Sequence, residues 1–161
     1  MIAQRRRRGQ AAMEFLTTYG WAFLVILVAI GALAYFGVIN PNKLLPERCQ
    51  FQQEMACKEF MGTYVAGPPV TATIKFFATN NIGAGMTNVS FSIAQQGGTL
   101  KNCLSAGTTI GAGQSVEFTC ESISGSFVKG EKSKFAVNGT YKQAGGQYSK
   151  PLQGELFVTL Q

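Results

Sequence analysis

Four cysteines are the side chains of this sequence whose type and spacing most directly suggest chemistry. They are Cys49, Cys57, Cys103 and Cys120, all outside the apolar segment near the N-terminus. An even number of such cysteines is typical of disulfides formed in an oxidising compartment. Zinc sites use closely spaced pairs such as Cys-x-x-Cys, usually with histidine, and the chain contains neither. The cysteines therefore predict disulfides and no metal site.

The number of cysteines leaves three pairings open. We favour Cys49–Cys57 together with Cys103–Cys120, because both bonds are local and each closes a short loop. The second pair flanks a glycine-rich stretch, which fits two neighbouring strands of one hairpin. The chain-entropy model gives each such bond about 2.5–3 kcal/mol of stability.

Two tripeptides match the acceptor pattern for N-linked glycans. They are Asn88-Val89-Ser90 and Asn138-Gly139-Thr140. In an exported domain, Asn88 or Asn138 could carry a glycan on a solvent-facing side. Chance is the alternative explanation, because short motifs recur freely and both tripeptides lie inside predicted strands.

The charged groups do not form the pattern of a catalytic centre or of a nucleic-acid surface. The chain has no histidine, and its eight acidic residues are all glutamates scattered along the sequence. Histidine is the commonest general acid or base. Of the net charge of +6, four arginines lie at positions 5–8, and residues 10–161 carry ten Lys and Arg against eight Glu. The sequence therefore predicts no enzyme, no catalytic residues, no cofactor and no nucleic-acid partner.

An uncharged apolar segment over residues 15–42 predicts a helix that can cross a membrane. A helix over its core, residues 15–39, would be about 37 Å long, against roughly 30 Å of hydrocarbon. Its apolar side chains lie all round the helix, and Pro41 stops it. The arginines at positions 5–8 place the N-terminus in the cytoplasm and the remaining chain outside. A cleaved secretory signal is the alternative, but its apolar region would be shorter.

The stretch RRRRG-QAAMEFL, followed by this apolar helix, resembles the class III signal peptide of archaeal type IV pilin-like proteins. The resemblance implies that a membrane peptidase cuts between Gly9 and Gln10 on the cytoplasmic side. Residues 1–9 would then be the leader, and residues 10–39 would be a membrane anchor first and a filament core later. The glutamate that is typical of pilins falls on Glu14.

Glu14 has two interpretations. As an interfacial residue, it would favour the positive end of the helix dipole, by about 0.3–1 kcal/mol. Within a filament core a carboxylate would be costly unless it were paired. The new α-amino group of Gln10 in a neighbouring subunit could supply that partner.

The remaining chain predicts a connector followed by an all-β domain. Residues 40–61 contain two prolines and the Cys49–Cys57 loop, so we expect a stiffened connector. Apolar and polar residues then alternate in five segments, with Gly, Asn and Ser between them. These segments are residues 70–80, 86–94, 115–120, 134–142 and 154–160. We expect an α+β chain, with a long N-terminal helix and an immunoglobulin-like β-sandwich over residues 62–161.

Together, the resemblance implies a structural pilin subunit that polymerises through its helix into a surface filament and displays its β domain for adhesion. Its partners would be the membrane, the prepilin peptidase, the assembly machinery and further copies of itself. Two alternatives stay open. One is a single-pass, membrane-anchored surface binding protein, and the other is a minor pilin-like component of a secretion or uptake assembly.

Overall fold

The computed structural model describes residues 3–36 and 45–161. The chain divides into two compact units, Met1–Pro41 and Asn42–Gln161. The described part of the first unit is one helix, and that of the second is built from β-strands. An N-terminal apolar helix followed by a β domain was predicted, and this arrangement is confirmed.

Helix α1 spans Ala3–Tyr35. It therefore begins inside the predicted leader, and the bond between Gly9 and Gln10 lies within helical backbone. The N–H of Phe36, one residue beyond the helix, donates to the carbonyl of Ala32 at 3.0 Å. The described helix extends to Tyr35, and the predicted helix extends to position 39. Residues 37–39 and the stop at Pro41 lie outside the described residues.

Nine strands form the described part of the second unit, residues 45–161, as two antiparallel sheets packed face to face. Sheet A has the order β1-β9-β8-β4-β5, and sheet B has the order β2-β3-β7-β6. The strands are β1 Arg48–Phe51, β2 Met55–Val65, β3 Thr71–Asn80, β4 Met86–Gln95, β5 Lys101–Asn102, β6 Leu104–Ser105, β7 Ser115–Ser124, β8 Lys132–Gln143 and β9 Ser149–Thr159. The second unit is therefore a two-sheet β-sandwich, as predicted.

The structure corrects the predicted connector over residues 40–61. Strand β1 pairs with β9 in sheet A, and strand β2 pairs with β3 in sheet B. The β domain therefore begins by Arg48 and not at residue 62. The register of β2 shifts between Cys57 and Phe60, and this bulge breaks the alternation by which a strand is recognised in sequence.

The core lies between the sheets and is formed by the alternating apolar residues. On β3, Ala72, Ile74 and Phe76 are almost completely buried, as the alternation in this segment predicts. Four rings meet at the centre, with centroid separations of 4.7–5.7 Å. They belong to Phe51, Phe76, Phe91 and Phe118. Offset and edge-to-face contacts at such distances add to the stability that burial provides.

Two inward-facing glycines make room for these rings. A Cβ at Gly139 of β8 would lie 2.6 Å from Cδ1 of Phe91, and one at Gly154 of β9 would lie 2.3 Å from Cδ1 of Phe51. Neither approach is compatible with a side chain. Because these two glycines have no side chains, the neighbouring phenylalanine rings can occupy the space beside them.

Candidate functional site

The apolar surface of α1 is the largest candidate functional surface on the described residues. Met13–Tyr35 is long and apolar enough to cross a membrane, and no residue of its most apolar stretch is buried. The span would be about 35 Å long at 1.5 Å per residue. Trp21 is 71% exposed and Phe23 is 64% exposed. The folded chain itself gives these side chains no apolar environment.

The hydroxyls of two threonines at the start of this span are hydrogen-bonded to the backbone of the helix. Thr17 Oγ1 donates to the carbonyl of Met13 at 2.9 Å, and Thr18 Oγ1 donates to the carbonyl of Glu14 at 2.8 Å. Hydroxyls that bond the preceding turn of their own helix are compatible with an apolar environment. These polar residues are therefore consistent with burial of the helix in lipid or among other helices.

Glu14 is the second residue of the apolar span Met13–Tyr35, and its side chain is exposed. No ion pair among the described residues includes it. The predicted partner is the α-amino group of Gln10 in a neighbouring subunit, and the side chains of residues 3–12 lie outside the described part. The predicted pairing and the predicted cleavage after Gly9 both remain predictions.

The disulfide Cys49–Cys57 joins the two sheets at one edge of the sandwich. Cys49 lies on β1, the edge strand of sheet A, and Cys57 lies on β2, the edge strand of sheet B. Their Cα atoms are 5.7 Å apart. The predicted pairing is confirmed, but the bond lies within the β domain and not in a connector.

The disulfide Cys103–Cys120 closes the opposite edge. Cys103 lies between β5 of sheet A and β6 of sheet B, where the chain crosses from one sheet to the other. Its N–H donates to the carbonyl of Phe91 in sheet A at 2.8 Å, while its sulfur is bonded to Cys120 on β7 of sheet B. The pairing is as predicted, and β6 and β7 are antiparallel neighbours as the hairpin hypothesis requires.

The outward side of sheet A, which we call the sheet A outer face, carries both glycosylation motifs. It presents polar side chains from four adjacent strands, β9, β8, β4 and β5, which pair in register. A depression of about 370 Å³ lies among them. The exposed or half-buried polar residues of this face are Ser90, Ser92, Asn102, Asn138, Thr140 and Gln153. Asn88 and Asn138 are both exposed, so both predicted acceptors lie at the surface.

The outward side of sheet B has a different character. Met61 is 49% exposed there and Leu104 is 68% exposed. Lys75 and Glu117 form an ion pair of 4.0 Å between β3 and β7, both ends of which are partly solvated, so its stabilising contribution is small. The two outer faces therefore differ in their proportion of apolar side chains.

Asn80 has a structural role that the pattern of the sequence does not reveal. Its side chain is completely buried at the end of β3. Nδ2 donates to the carbonyls of Ala84, Ile110 and Gly111 at 2.9–3.2 Å, and Oδ1 accepts from the N–H of Ile82 at 2.9 Å. One side chain thus connects the strand end to two loops. In the sequence, the Asn-Asn pair that follows an apolar strand indicates only a turn.

Two ionisable groups have altered pKa values. A hydrogen bond from Lys134 at 2.9 Å, together with the charges of Lys134 and Arg48, lowers the pKa of Glu155 against an opposing desolvation effect. Burial of the phenol raises the pKa of Tyr141, and the nearby charge of Glu54 adds to this. Among the described residues, no three His, Cys, Asp or Glu side chains are grouped to hold a metal ion.

Comparison with known proteins gives no family. No protein-family model matches the chain, and no curated protein matches it. Solved structures with some similarity include the ApaA protein from Bordetella pertussis, at 12% identity and a TM-score of 0.43, covering 71% of this chain and 95% of that one. The GAE domain of GGA2p from Saccharomyces cerevisiae is 19% identical, with a TM-score of 0.39, covering 72% of this chain and 98% of that one. The GAE domain of yeast GGA1 is 16% identical, with a TM-score of 0.37, covering 66% and 99%. At these TM-scores the likeness carries no information about function.

Proposed function

We propose that this protein is a pilin subunit that polymerises through its N-terminal helix into a type IV pilus-like filament and displays its β domain for adhesion. The observation that carries the proposal is the contrast between the two units. The helix leaves its apolar side chains exposed over Met13–Tyr35, whereas the β domain encloses its own core and both disulfides. Such a helix needs lipid or other helices around it.

Localisation follows from the same features. Before assembly, the helix would span the cytoplasmic membrane once, with the arginines at positions 5–8 inside. The disulfides favour an oxidising compartment for the β domain. After assembly the protein would be an extracellular filament on the cell surface. Its partners would be the prepilin peptidase, the assembly machinery and copies of itself.

We further propose that the β domain is an immunoglobulin-like sandwich. Constant-type immunoglobulin domains have one sheet of order A-B-E-D and one that contains C, F and G as neighbours. If β2 is taken as strand A, sheet B has the order A-B-E-D, and β4, β8 and β9 take the places of C, F and G. Strand β1 is then an addition beside G, and β5 an addition beside C.

The N-terminus of the assembled protein tests the proposal most directly. Protein from sheared surface filaments should begin at Gln10, because pilin processing removes residues 1–9. Intact-mass measurement and N-terminal sequencing provide the readout. Retention of residues 1–9 in surface material would contradict the pilin function and favour a plain membrane anchor.

The substitution Glu14→Gln tests the assembly role of the helix. We expect insertion, leader cleavage and the folding of the β domain to continue, while filament yield falls because the carboxylate that sets register is lost. Glu121→Gln is the matched control, since Glu121 lies exposed on β7 and belongs to none of the described ion pairs. Electron microscopy and quantification of sheared fractions give the yield. Equal yields from the two variants would argue against a role for Glu14 in assembly.

The main competing function is a single-pass surface protein that binds its target while it stays in the membrane. The length of Met13–Tyr35 favours it, because such a span matches a bilayer without any further partner. Under this alternative, Glu14→Gln would be nearly silent, and the protein would stay in the membrane fraction after shearing. A minor subunit of a secretion or uptake assembly would instead be processed at Gln10 but scarce in filaments.

A further inference from the structure

The two sequons lie side by side on neighbouring antiparallel strands of the sheet A outer face. Ser90 of β4 is directly opposite Thr140 of β8, and Ser92 is opposite Asn138. The hydroxyls of Ser90 and Thr140, each the third residue of its sequon, are hydrogen-bonded at 3.1 Å. The two sequons therefore share one surface. What distinguishes them as glycan acceptors is the backbone in which each asparagine lies.

Asn88 lies outside the regular ladder of its sheet. The pairing of β4 with β8 shifts between Thr87 and Ser90, so that Asn88 and Val89 have no partners in β8. Asn88 has a φ of 52°, which is left-handed backbone that asparagine adopts more readily than most residues. Val89 is buried and donates its N–H to the carbonyl of Thr108 at 2.9 Å. The bulge therefore presents the exposed Asn88 on a short irregular segment.

Asn138 lies in the middle of a fully paired strand. It is opposite Ser92 on one side and Gln153 on the other. A transferase that takes the acceptor as a separate segment of chain would have to break both ladders. The tripeptide here also has a structural explanation, because Gly139 is needed where a Cβ would meet Phe91 at 2.6 Å.

We propose that Asn88 is the N-glycosylation site of this domain and that Asn138 stays unmodified once β8 has paired. This inference rests on the proposed function only in requiring that the β domain lie outside the cytoplasmic membrane. The donor class is an oligosaccharide carried on a lipid phosphate or diphosphate. The side-chain nitrogen of Asn88 forms a bond to the anomeric carbon and loses one proton. The bond from that carbon to the phosphate oxygen breaks, and the lipid phosphate leaves with the electron pair.

Peptide mass spectrometry on the full protein from its native cells tests the proposal. Cleavage after lysine gives residues 76–101, which contain Asn88 as their only sequon asparagine, and residues 135–142, which contain Asn138. We expect a glycan on the first peptide and the unmodified mass for the second. Ser90→Ala should abolish the modification, while Ser90→Thr, which restores the motif, should keep it. Asn102→Gln, an exposed amide on the same face without a sequon, should leave the glycan in place.

The state of the cysteines in the same sample separates failure of this inference from failure of export. An unmodified 76–101 peptide in protein with both disulfides formed would overturn the glycosylation site and leave the exported location intact. An unmodified peptide in protein with free thiols would overturn both. A glycan on Asn138 at equal or higher occupancy would also overturn the proposal, because the paired ladder would then be no obstacle.

Discussion

In α1 the side chains of Trp21 and Phe23 are 71% and 64% exposed, whereas in the β domain Phe76 and Phe118 are each 1% exposed. Both units are rich in large apolar residues, but only the second encloses them. The β domain has two faces per strand and can hide one of them against the opposite sheet. A helix that is apolar all round has no polar face to leave outside. The helix is therefore the part of the chain that leaves its large apolar side chains exposed.

The sharpest test of this comparison removes the helix. A chain of residues 45–161 should be soluble without detergent and retain both disulfides, because the β domain has its own core. The full chain should sediment with membranes or require detergent. Ultracentrifugation followed by intact mass measures both properties. Aggregation of an oxidised 45–161 chain would show that the β domain depends on the helix.

Large-to-small substitutions should have opposite consequences in the two units. Phe118→Ala should lower the free energy of unfolding of the β domain by about 3–5 kcal/mol, because it leaves a cavity among the four central rings. Trp21→Ala should change that free energy by less than about 0.5 kcal/mol, since Trp21 belongs to the other compact unit and is 71% exposed. Urea denaturation of the full chain in detergent compares them. Similar losses for both variants would remove the distinction between the units.

The disulfides should account for the next largest effects. Replacing Cys49 and Cys57 with alanine, or Cys103 and Cys120 with alanine, should cost about 2.5–3 kcal/mol per pair in the chain-entropy model. The native protein should contain no free thiol. Thermal unfolding of the two double variants measures the loss, and alkylation of the native protein counts the thiols. Labelling of two or more cysteines before reduction would contradict the expectation.

A smaller loss is expected from the buried amide at the end of β3. Asn80→Ala removes the side-chain hydrogen bonds to three carbonyls and one N–H, although the carbonyls of Ile110 and Gly111 keep a backbone donor. The free energy of unfolding should therefore fall by roughly 1–3 kcal/mol. Asn81→Ala is the control, because Asn81 is exposed and bonds through its backbone to Glu54. Equal stabilities of the two variants in urea would contradict the structural role of Asn80.

The smallest expected effect concerns Glu155 and pH. Its pKa is lowered from 4.5 by the hydrogen bond from Lys134 and by the charges of Lys134 and Arg48. The stabilisation is therefore present above pH 4.5 and is lost as pH falls through the folded-state pKa. Glu155→Gln should flatten the decline in stability below pH 4.5. Urea midpoints at pH 7 and pH 3, with Glu121→Gln as control, measure the slope. An unchanged slope would exclude this contribution.

The sequence predicts the helix and five of the nine strands because their patterns are regular. Residues 70–80 alternate without interruption and become β3 with little change of boundary. Strand β2 escapes prediction because its bulge after Cys57 breaks the period of two. Strands β5 and β6 each have two residues, too few for any pattern, and their pairing depends on the crossing at Cys103. Burial of Asn80 depends likewise on loops that are distant in sequence, so only the structure shows it.

The bond between Cys49 and Cys57 also determines how the domain carries tension. In a filament, a pull from the N-terminal side would pass the hydrogen bonds at Leu45 and Glu47 and reach the first strand of the β domain at Arg48, where that strand has only four residues. Such a strand would peel from β9 under modest force if hydrogen bonds alone held it. One residue further along, the covalent bond transfers the load to β2 and so to the other sheet. Within β1, pulling can therefore detach little more than Arg48 before both layers share the force.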